Sequence, residues 1–135
     1  MSPRATDEDF EVIAEFRAAL RRFLRVSEEA ARRHGLTPRQ HLLLLMIQGA
    51  PDGSKQATVR DLSERLQLAQ STVTELVHRA QAAGLVRRTP SNEDGRVVHV
   101  TVTPSGLSAL RALHAELRGE RSALTKILAR LPAGG

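Results

Sequence analysis

The sequence predicts a mainly α protein of the α+β class, and two observations support this fold class. Apolar residues recur at spacings of three and four over residues 7–34 and 104–131, as on one face of a long α-helix. Residues 37–103 contain shorter helical patterns, a glycine stop and two strand-like runs. Helix, turn, helix and hairpin in this order make up a winged helix-turn-helix. We therefore expect residues 1–135 to form a single domain, a winged helix lobe carried by long terminal helices.

Threonine marks the start of most predicted helices. In four of the five, a threonine can cap the backbone N–H groups of the first turn, at Thr6, Thr37, Thr58 and Thr103. Proline at the first helical position strengthens two of these starts. The fourth helix, from about Gln70 to Ala83, has Ala69 in the capping position. Its first N–H groups are therefore expected to lack an intrachain partner.

Glycines mark the helix ends, and one apolar run marks a central helix. Gly35, Gly49 and Gly84 follow the first, second and fourth helical patterns. Residues 42–47 are apolar on every side, so we expect the second helix to be buried. The composition of residues 50–56 predicts a loop.

Two short runs predict the hairpin. Residues 85–89 form its first strand, and residues 97–102 alternate in the manner of a second. The connection between them, P-S-N-E-D-G-R, contains a turn at Asp94 and Gly95.

The composition excludes several kinds of site. The net charge is +5, and the absence of cysteine excludes disulfides, thiolate metal sites and thiol redox chemistry. The five histidines form no H-x-x-x-H or H-E-x-x-H pair, and the sequence has no nucleophile elbow or phosphate-binding glycine loop. We expect no metal, no cofactor and no enzymatic activity. Without a membrane-spanning apolar run or a hydrophobic N-terminal segment, we expect a cytoplasmic protein.

The apolar stripes of the terminal helices are longer than one small lobe can cover. They belong either to the core of one chain or to an interface between two copies, and their length favours the interface. We expect a homodimer whose interface includes Phe10, Ile13, Phe16, Leu20, Leu110, Leu113, Leu117, Leu124 and Leu128.

A series of motifs in this order resembles the MarR family of winged helix-turn-helix transcription regulators. The matching motifs are G-L-T-P-R-Q-H-L-L-L-L, V-R-D-L-S-E-R-L, Q-S-T-V-T-E-L-V-H-R, A-A-G-L-V-R-R, D-G-R and V-T-P-S-G. The resemblance covers nearly the whole chain. It implies a homodimer joined by the terminal helices, a fourth helix in the major groove of DNA, and a hairpin, called the wing, at the adjacent minor groove.

The outer face of the fourth helix and the wing are thus the candidate DNA-binding surfaces. The candidate residues are Gln70, Ser71, Thr72, Thr74, Glu75, His78, Arg79, Arg88 and Arg96. Thr72 is expected to point partly inward. For the other residues of the helix, the alternative is a solvated face, and for His78 this alternative is nearly as strong.

Four residues are expected to define the wing. Arg96 matches the arginine that family members insert into the minor groove, where the negative potential is concentrated. Asp94 and Gly95 are expected to shape the turn, with Asp94 either fixing it or pairing with an arginine such as Arg79. Arg88 and its neighbour face opposite sides of one strand, so only one of the two can meet DNA.

Three residues depart from the usual pattern of the family. Family members often have glycine at the position of Gln67, serine or aspartate at that of Ala69, and a basic residue at that of Glu75. A DNA phosphate could complete the uncapped helix after Ala69, because helix N-termini bind anions. Glu75 repels phosphates but can accept a hydrogen bond from cytosine N4.

These observations predict a homodimeric, sequence-specific transcription regulator that binds a palindromic double-stranded operator. The resemblance implies a repressor that a small-molecule effector releases, and Arg17, Arg39 and His41 are the candidates for the effector pocket. The alternative is a winged-helix module that binds proteins and has lost DNA binding. Residues 58–99 carry six arginines against five acids, which motivates this alternative.

Overall fold

Six helices and three short strands are present in the computed structural model, which describes residues 4–91, 93 and 95–132. In chain order they are α1 (Asp7–Arg33), α2 (Pro38–Gln48), β1 (Gln56–Ala57), α3 (Val59–Leu66), α4 (Gln70–Ala82), β2 (Val86–Pro90), β3 (Val98–Val102), α5 (Pro104–Glu116) and α6 (Arg118–Leu128). The strands form one antiparallel sheet in the order β1–β3–β2. The predicted fold class and winged helix-turn-helix are confirmed. None of the helices described is long and apolar enough to cross a membrane.

Threonine side chains cap the helices as predicted. The hydroxyls of three threonines each accept a hydrogen bond from the backbone N–H three residues further along the chain. The distances are 3.2 Å for Thr6, 3.1 Å for Thr37 and 3.1 Å for Thr58. The hydroxyl of Thr103 makes two bonds. It accepts from the N–H of Gly106 at 3.0 Å and donates to the carbonyl oxygen of Gly84 at 2.6 Å. Thr103 thereby joins the start of α5 to the turn after α4.

One hydrophobic core runs through the winged-helix lobe. Its fully buried large side chains are Leu43, Leu44, Ile47, Leu62, Val73, Val77, Val86, Val100 and Leu113. Burial of each such side chain contributes roughly 1.5–3 kcal/mol. Helix α4 supplies Val73, Val77 and Ala80 to this core, and this burial determines which of its residues face solvent.

Helix α2 is buried in the core as predicted, but not on every side. Leu43, Leu44 and Ile47 are fully buried, but Leu42 and Leu45 remain 41% and 43% exposed. The exposed leucines line a cavity beside α1 and α5. A helix that is apolar on all sides is therefore not necessarily buried on all sides within one chain.

The strand β1 lies where the sequence predicted only a loop. Gln56 and Ala57 pair with Thr101 and Val100 of β3. Two residues are too few to show an alternating pattern, so no sequence signal marks this strand. Its pairing depends on a strand far away in the chain.

The helix predicted over residues 104–131 is two helices, so the prediction of one was wrong. Leu117, between α5 and α6, has φ −89° and ψ 7° and is buried in the core. Gly119, which has a low helix propensity, lies directly after the break. The break allows α5 to pack in the lobe while α6 lies along α1, where Arg130 Nη1 binds Glu15 Oε1 at 2.8 Å.

The residues expected at a dimer interface fall into three groups. The first group is exposed: Phe10 at 62%, Ile13 at 48% and Leu128 at 51%. The second group is half-buried and consists of Phe16, Leu20 and Leu124. The third group is buried, with exposures of 6% for Leu110, 0% for Leu113 and 4% for Leu117. The core of their own chain covers this last group, so these three leucines offer little surface to a second copy.

Gly106→Ala tests the close packing of α5 against the turn after α4. A Cβ at Gly106 would overlap the carbonyl oxygen of Leu85 and come within 2.9 Å of Val102 Cγ1. We expect the substitution to lower the free energy of unfolding by about 1–3 kcal/mol, measured by urea unfolding and circular dichroism.

At the control position, Gly119, a Cβ meets no atom within 4 Å. Gly119→Ala should be neutral or stabilise by up to about 1 kcal/mol. Equal stability of the two variants would contradict the packing.

Candidate nucleic-acid interface

The outer face of α4 is exposed along its length. Six of its exposed residues, which we call the recognition face, are Gln70, Ser71, Thr74, Glu75, His78 and Arg79. Thr72 is half-buried, in agreement with its predicted inward tilt. Because Val73, Val77 and Ala80 anchor the opposite side in the core, the polar residues form one continuous surface.

The N-terminus of α4 has no side-chain cap, as predicted. Ala69, the N-cap residue, has φ −62° and ψ 148° and makes no capping hydrogen bond. In the preceding turn, Gln67 adopts the left-handed conformation with φ 55° and ψ 46°. Its Nε2 donates to the carbonyl oxygen of Glu64 at 2.6 Å. The left-handed backbone accounts for the glycine of the family pattern at this position, because glycine adopts it without steric cost.

The acid on the recognition face has a basic partner. Arg79 Nε donates to Glu75 Oε1 at 3.0 Å, and the two side chains are 74% and 62% exposed. The pair carries no net charge, so the carboxylate does not stand alone on the surface. Asp94, the partner that the sequence suggested for Arg79, lies outside the described residues.

A second contact links the recognition face to the wing. Nη1 of Arg88, in β2, lies 3.0 Å from Nε2 of His78. Since arginine can only donate, Nε2 of His78 is the acceptor in this contact. Two of the predicted candidates are thus brought together across the junction of α4 and the hairpin.

The wing is the hairpin of β2 and β3. Its strands pair over five residues each, and beyond them the N–H of Ser91 donates to the carbonyl oxygen of Val97 at 2.7 Å. Gly95 and Arg96 lie in the connection and are exposed. The role predicted for Asp94 in this turn falls outside the described residues.

The three candidates for an effector pocket do not lie together. His41 is 8% exposed and lines a cavity of 740 Å³ between α1, α2, α5 and α6. Arg17 is exposed on α1 and does not line this cavity. Arg39 instead borders a surface depression together with Thr72, Glu75 and Arg79. The structure therefore does not bring Arg17 and Arg39 together with His41; Arg39, in the first turn of α2, lies beside α4.

The cavity is apolar with a basic edge. Its apolar lining consists of Phe23, Leu24, Leu42, Leu45, Leu107, Leu110 and Leu117. Arg111, His114 and Arg121 also line it, and none of its described lining residues is acidic. Nη2 of Arg121 lies 3.2 Å from Nε2 of His114. Burial lowers the pKa of His41, which keeps this histidine uncharged. The arrangement suits an apolar molecule that carries an anionic group.

Three residues at the edge of the cavity were not predicted from the sequence: Arg111, His114 and Arg121. A signal was available for two of them, because Arg111 and His114 are three residues apart on one face of α5. Arg121 was hidden from such reasoning, since its place at the cavity depends on the break at Leu117.

No metal centre is found in the part of the chain that the structure describes, where no group of three or more His, Asp or Glu side chains could hold an ion. The recognition face with the wing and the cavity are therefore the two candidate sites.

Comparison of the sequence with known proteins finds similar regulators. The model of the MarR family matches residues 34–97. The uncharacterized HTH-type transcriptional regulator YsmB of Bacillus subtilis (strain 168) is 30% identical over 105 residues, which are 75% of this chain and 69% of YsmB. The HTH-type transcriptional repressor IacR of Pseudomonas putida is 34% identical over 58 residues, 43% of this chain and 35% of IacR.

Solved structures of MarR proteins have a similar fold. A crystal structure of a MarR family transcription regulator aligns with a TM-score of 0.74 at 23% identity, covering 89% of this chain and 77% of that one. A mutant of E. coli MarR complexed with operator DNA aligns with a TM-score of 0.68 at 22% identity, covering 97% and 89% of the two chains. At these identities the likeness establishes the fold alone.

Ala69→Ser tests whether a DNA phosphate binds the uncapped end of α4. The serine hydroxyl should cap the helix and raise the free energy of unfolding by about 1 kcal/mol. If a phosphate uses the same N–H groups, the variant should also bind duplex DNA more weakly. Thermal unfolding and titration of a labelled duplex measure the two effects. Ala82→Ser, at the exposed far end of α4, should leave DNA affinity unchanged. Higher stability of Ala69→Ser with unaltered affinity would rule out the phosphate contact.

Proposed function

Because the chain belongs to the MarR family of transcription regulators, we propose that it is a homodimeric repressor that binds double-stranded operator DNA sequence-specifically and is released by a small molecule. The family consists of DNA-binding transcription regulators and not of enzymes. One observation carries the proposal for this chain. Helix α4 turns a continuous polar face outward while its opposite face is fixed in the core.

The recognition face has the groups that a duplex requires. The major groove is about 12 Å wide and admits one α-helix. At the N-terminal end of α4, Gln70, Ser71 and Thr74 supply amide and hydroxyl groups for phosphates or base edges, and Thr72 borders them. The operator complex of an E. coli MarR mutant with a similar fold supports this use of the lobe.

The wing supplies the second contact. In the proposal, Arg96 enters the minor groove beside the site of α4, where a narrow groove attracts arginine. Arg88 and His78 lie at the junction of wing and recognition face, 3.0 Å apart. A phosphate there would attract the guanidinium of Arg88.

Exposed apolar side chains on α1 and α6 support the homodimer. Phe10, Ile13 and Leu128 are about half or more exposed, at 62%, 48% and 51%. Large apolar side chains in a group on a soluble surface commonly mark a protein interface. A second copy of the chain would cover them and place two α4 helices about a two-fold axis, so each would meet one half-site of a palindrome.

The repressor role is supported by a relative, since IacR of Pseudomonas putida is named a transcriptional repressor. A dimer of this chain whose two α4 helices occupy an operator would exclude other proteins from the same stretch of DNA. The competing function is a winged-helix module that binds proteins. It is motivated by Glu75 on the recognition face and by the nearly balanced charge of residues 58–99.

The 740 Å³ cavity is the proposed effector site. Its leucines would cover an apolar body, while Arg111 and Arg121 would bind an anionic group at the edge. We therefore propose an apolar monocarboxylate as the class of effector.

Selection from random duplex DNA distinguishes the regulator from the protein-binding module. The regulator should enrich a palindrome whose half-site centres are about one helical turn, roughly 10 base pairs, apart. On that duplex, Arg96→Ala should weaken binding and reduce the dependence of affinity on salt by about one phosphate contact. An unchanged salt dependence would remove Arg96 from the interface. Failure to enrich any palindrome at low salt would favour the protein-binding module.

Octanoate and octanol test the effector class, because they share an apolar chain and differ in charge. Octanoate should raise the melting temperature and weaken operator binding, whereas octanol should do neither to the same extent. Arg121→Gln should reduce the response to octanoate, because it removes the cation beside His114. Equal responses to the two compounds, or none, would contradict the proposed class.

A further inference from the structure

Glu75 and Arg79 form a pair on the recognition face, and we propose that this pair selects a cytosine and a guanine in each half-site of the operator. The inference rests on the proposed function, since it requires α4 to enter the major groove. It assigns a role to Glu75, an acidic side chain on a surface that must approach the negatively charged phosphates of DNA.

The pair leaves free the atoms that base edges need. The bond joins Arg79 Nε to Glu75 Oε1 at 3.0 Å. Nη1 and Nη2 of Arg79 and Oε2 of Glu75 form no hydrogen bond with the described residues. Because the side chains are 74% and 62% exposed, these atoms are accessible from solvent. The bond also restricts both side chains, so the free donors and the free acceptor are presented together.

The free atoms match one combination of bases. Two N–H groups of a guanidinium fit O6 and N7 of guanine, which are both acceptors. A carboxylate oxygen can only accept, and cytosine offers the N4 donor in the major groove. Adenine is a poorer partner, because its N6 donor lies beside the N7 acceptor, which repels a carboxylate. The Glu75–Arg79 pair is therefore complementary to cytosine and guanine within the same or adjacent base pairs.

The local charges make the acid tolerable near DNA. Arg79 balances Glu75 through the direct bond, and Arg39 borders the same surface depression. The depression therefore has two arginines and one carboxylate, a surplus of one positive charge. Phosphates on either side of the groove would meet this surplus and not an isolated carboxylate.

A surface ion pair without any role in base selection can have the same spacing. Arg60 and Glu64 on α3 are also four residues apart, with Nε and Oε1 at 3.8 Å and side chains 81% and 73% exposed. This pair lies outside the recognition face. Glu64→Gln is therefore a matched control, which removes the same charge from the same lobe without altering the proposed base contact.

Selection from random duplexes with the wild-type protein and with Glu75→Gln tests the assignment. The wild-type palindrome should contain the cytosine and guanine in each half-site. Glutamine fits N6 and N7 of adenine, so Glu75→Gln should replace that cytosine by adenine. Its affinity for the wild-type duplex should fall about fivefold or more, the lower end for one good base contact. Glu64→Gln should enrich the wild-type motif. Circular dichroism and binding to random duplex at low salt establish that both variants are folded.

The outcomes separate this inference from the proposed function. A palindrome that lacks the cytosine, or that keeps it with Glu75→Gln, overturns the base assignment and leaves the DNA-binding function standing. A folded Glu75→Gln protein that enriches no motif also overturns the switch to adenine. If the wild-type protein enriches no palindrome, the proposed function fails, and the base assignment fails with it.

Discussion

The architecture of the lobe depends on the burial of one face of α4. This helix has 13 residues and no side-chain cap at its start, so in isolation it would be marginal in water. Val73, Val77 and Ala80 are at most 1% exposed, and their packing against α2 and the sheet maintains the helix. Because the side chains of a helix keep fixed directions around its axis, the burial of one side directs Glu75 and Arg79 outward. Core packing thus sets the chemistry of the recognition face.

Helix α2 connects this face to the cavity. Leu43 and Ile47 belong to the core cluster that contains the buried side of α4, while Leu42 and Leu45 line the cavity. A molecule in the cavity would therefore contact the helix against which α4 packs. Tightly packed elements move as units, so a displacement of α2 changes the position of α4 without any contact between ligand and DNA. In the proposed function, this is the physical route from effector to operator.

Features that depend on a few neighbouring residues were predictable from the sequence, and features that depend on distant packing were not. The cap at Thr58 and the outward face of α4 follow from spacings of three and four, which are visible in the sequence. The break at Leu117 and the burial of Leu113 result from α5 packing in the lobe, a long-range constraint. The position of Arg121 at the cavity depends on both. Likewise, the spacing allows Arg79 to reach Glu75, but only the structure identifies the partner it binds.

In the proposed function, two α4 helices contact base edges in the major groove of one duplex. Methylation interference tests it most directly, because methylation at guanine N7 blocks the major-groove edge. On a selected duplex, we expect two clusters of interfering guanines, symmetric about the centre and about one helical turn apart. Interference confined to one half-site would contradict the contact of two α4 helices with one duplex. So would unchanged affinity for DNA that is methylated at every guanine N7.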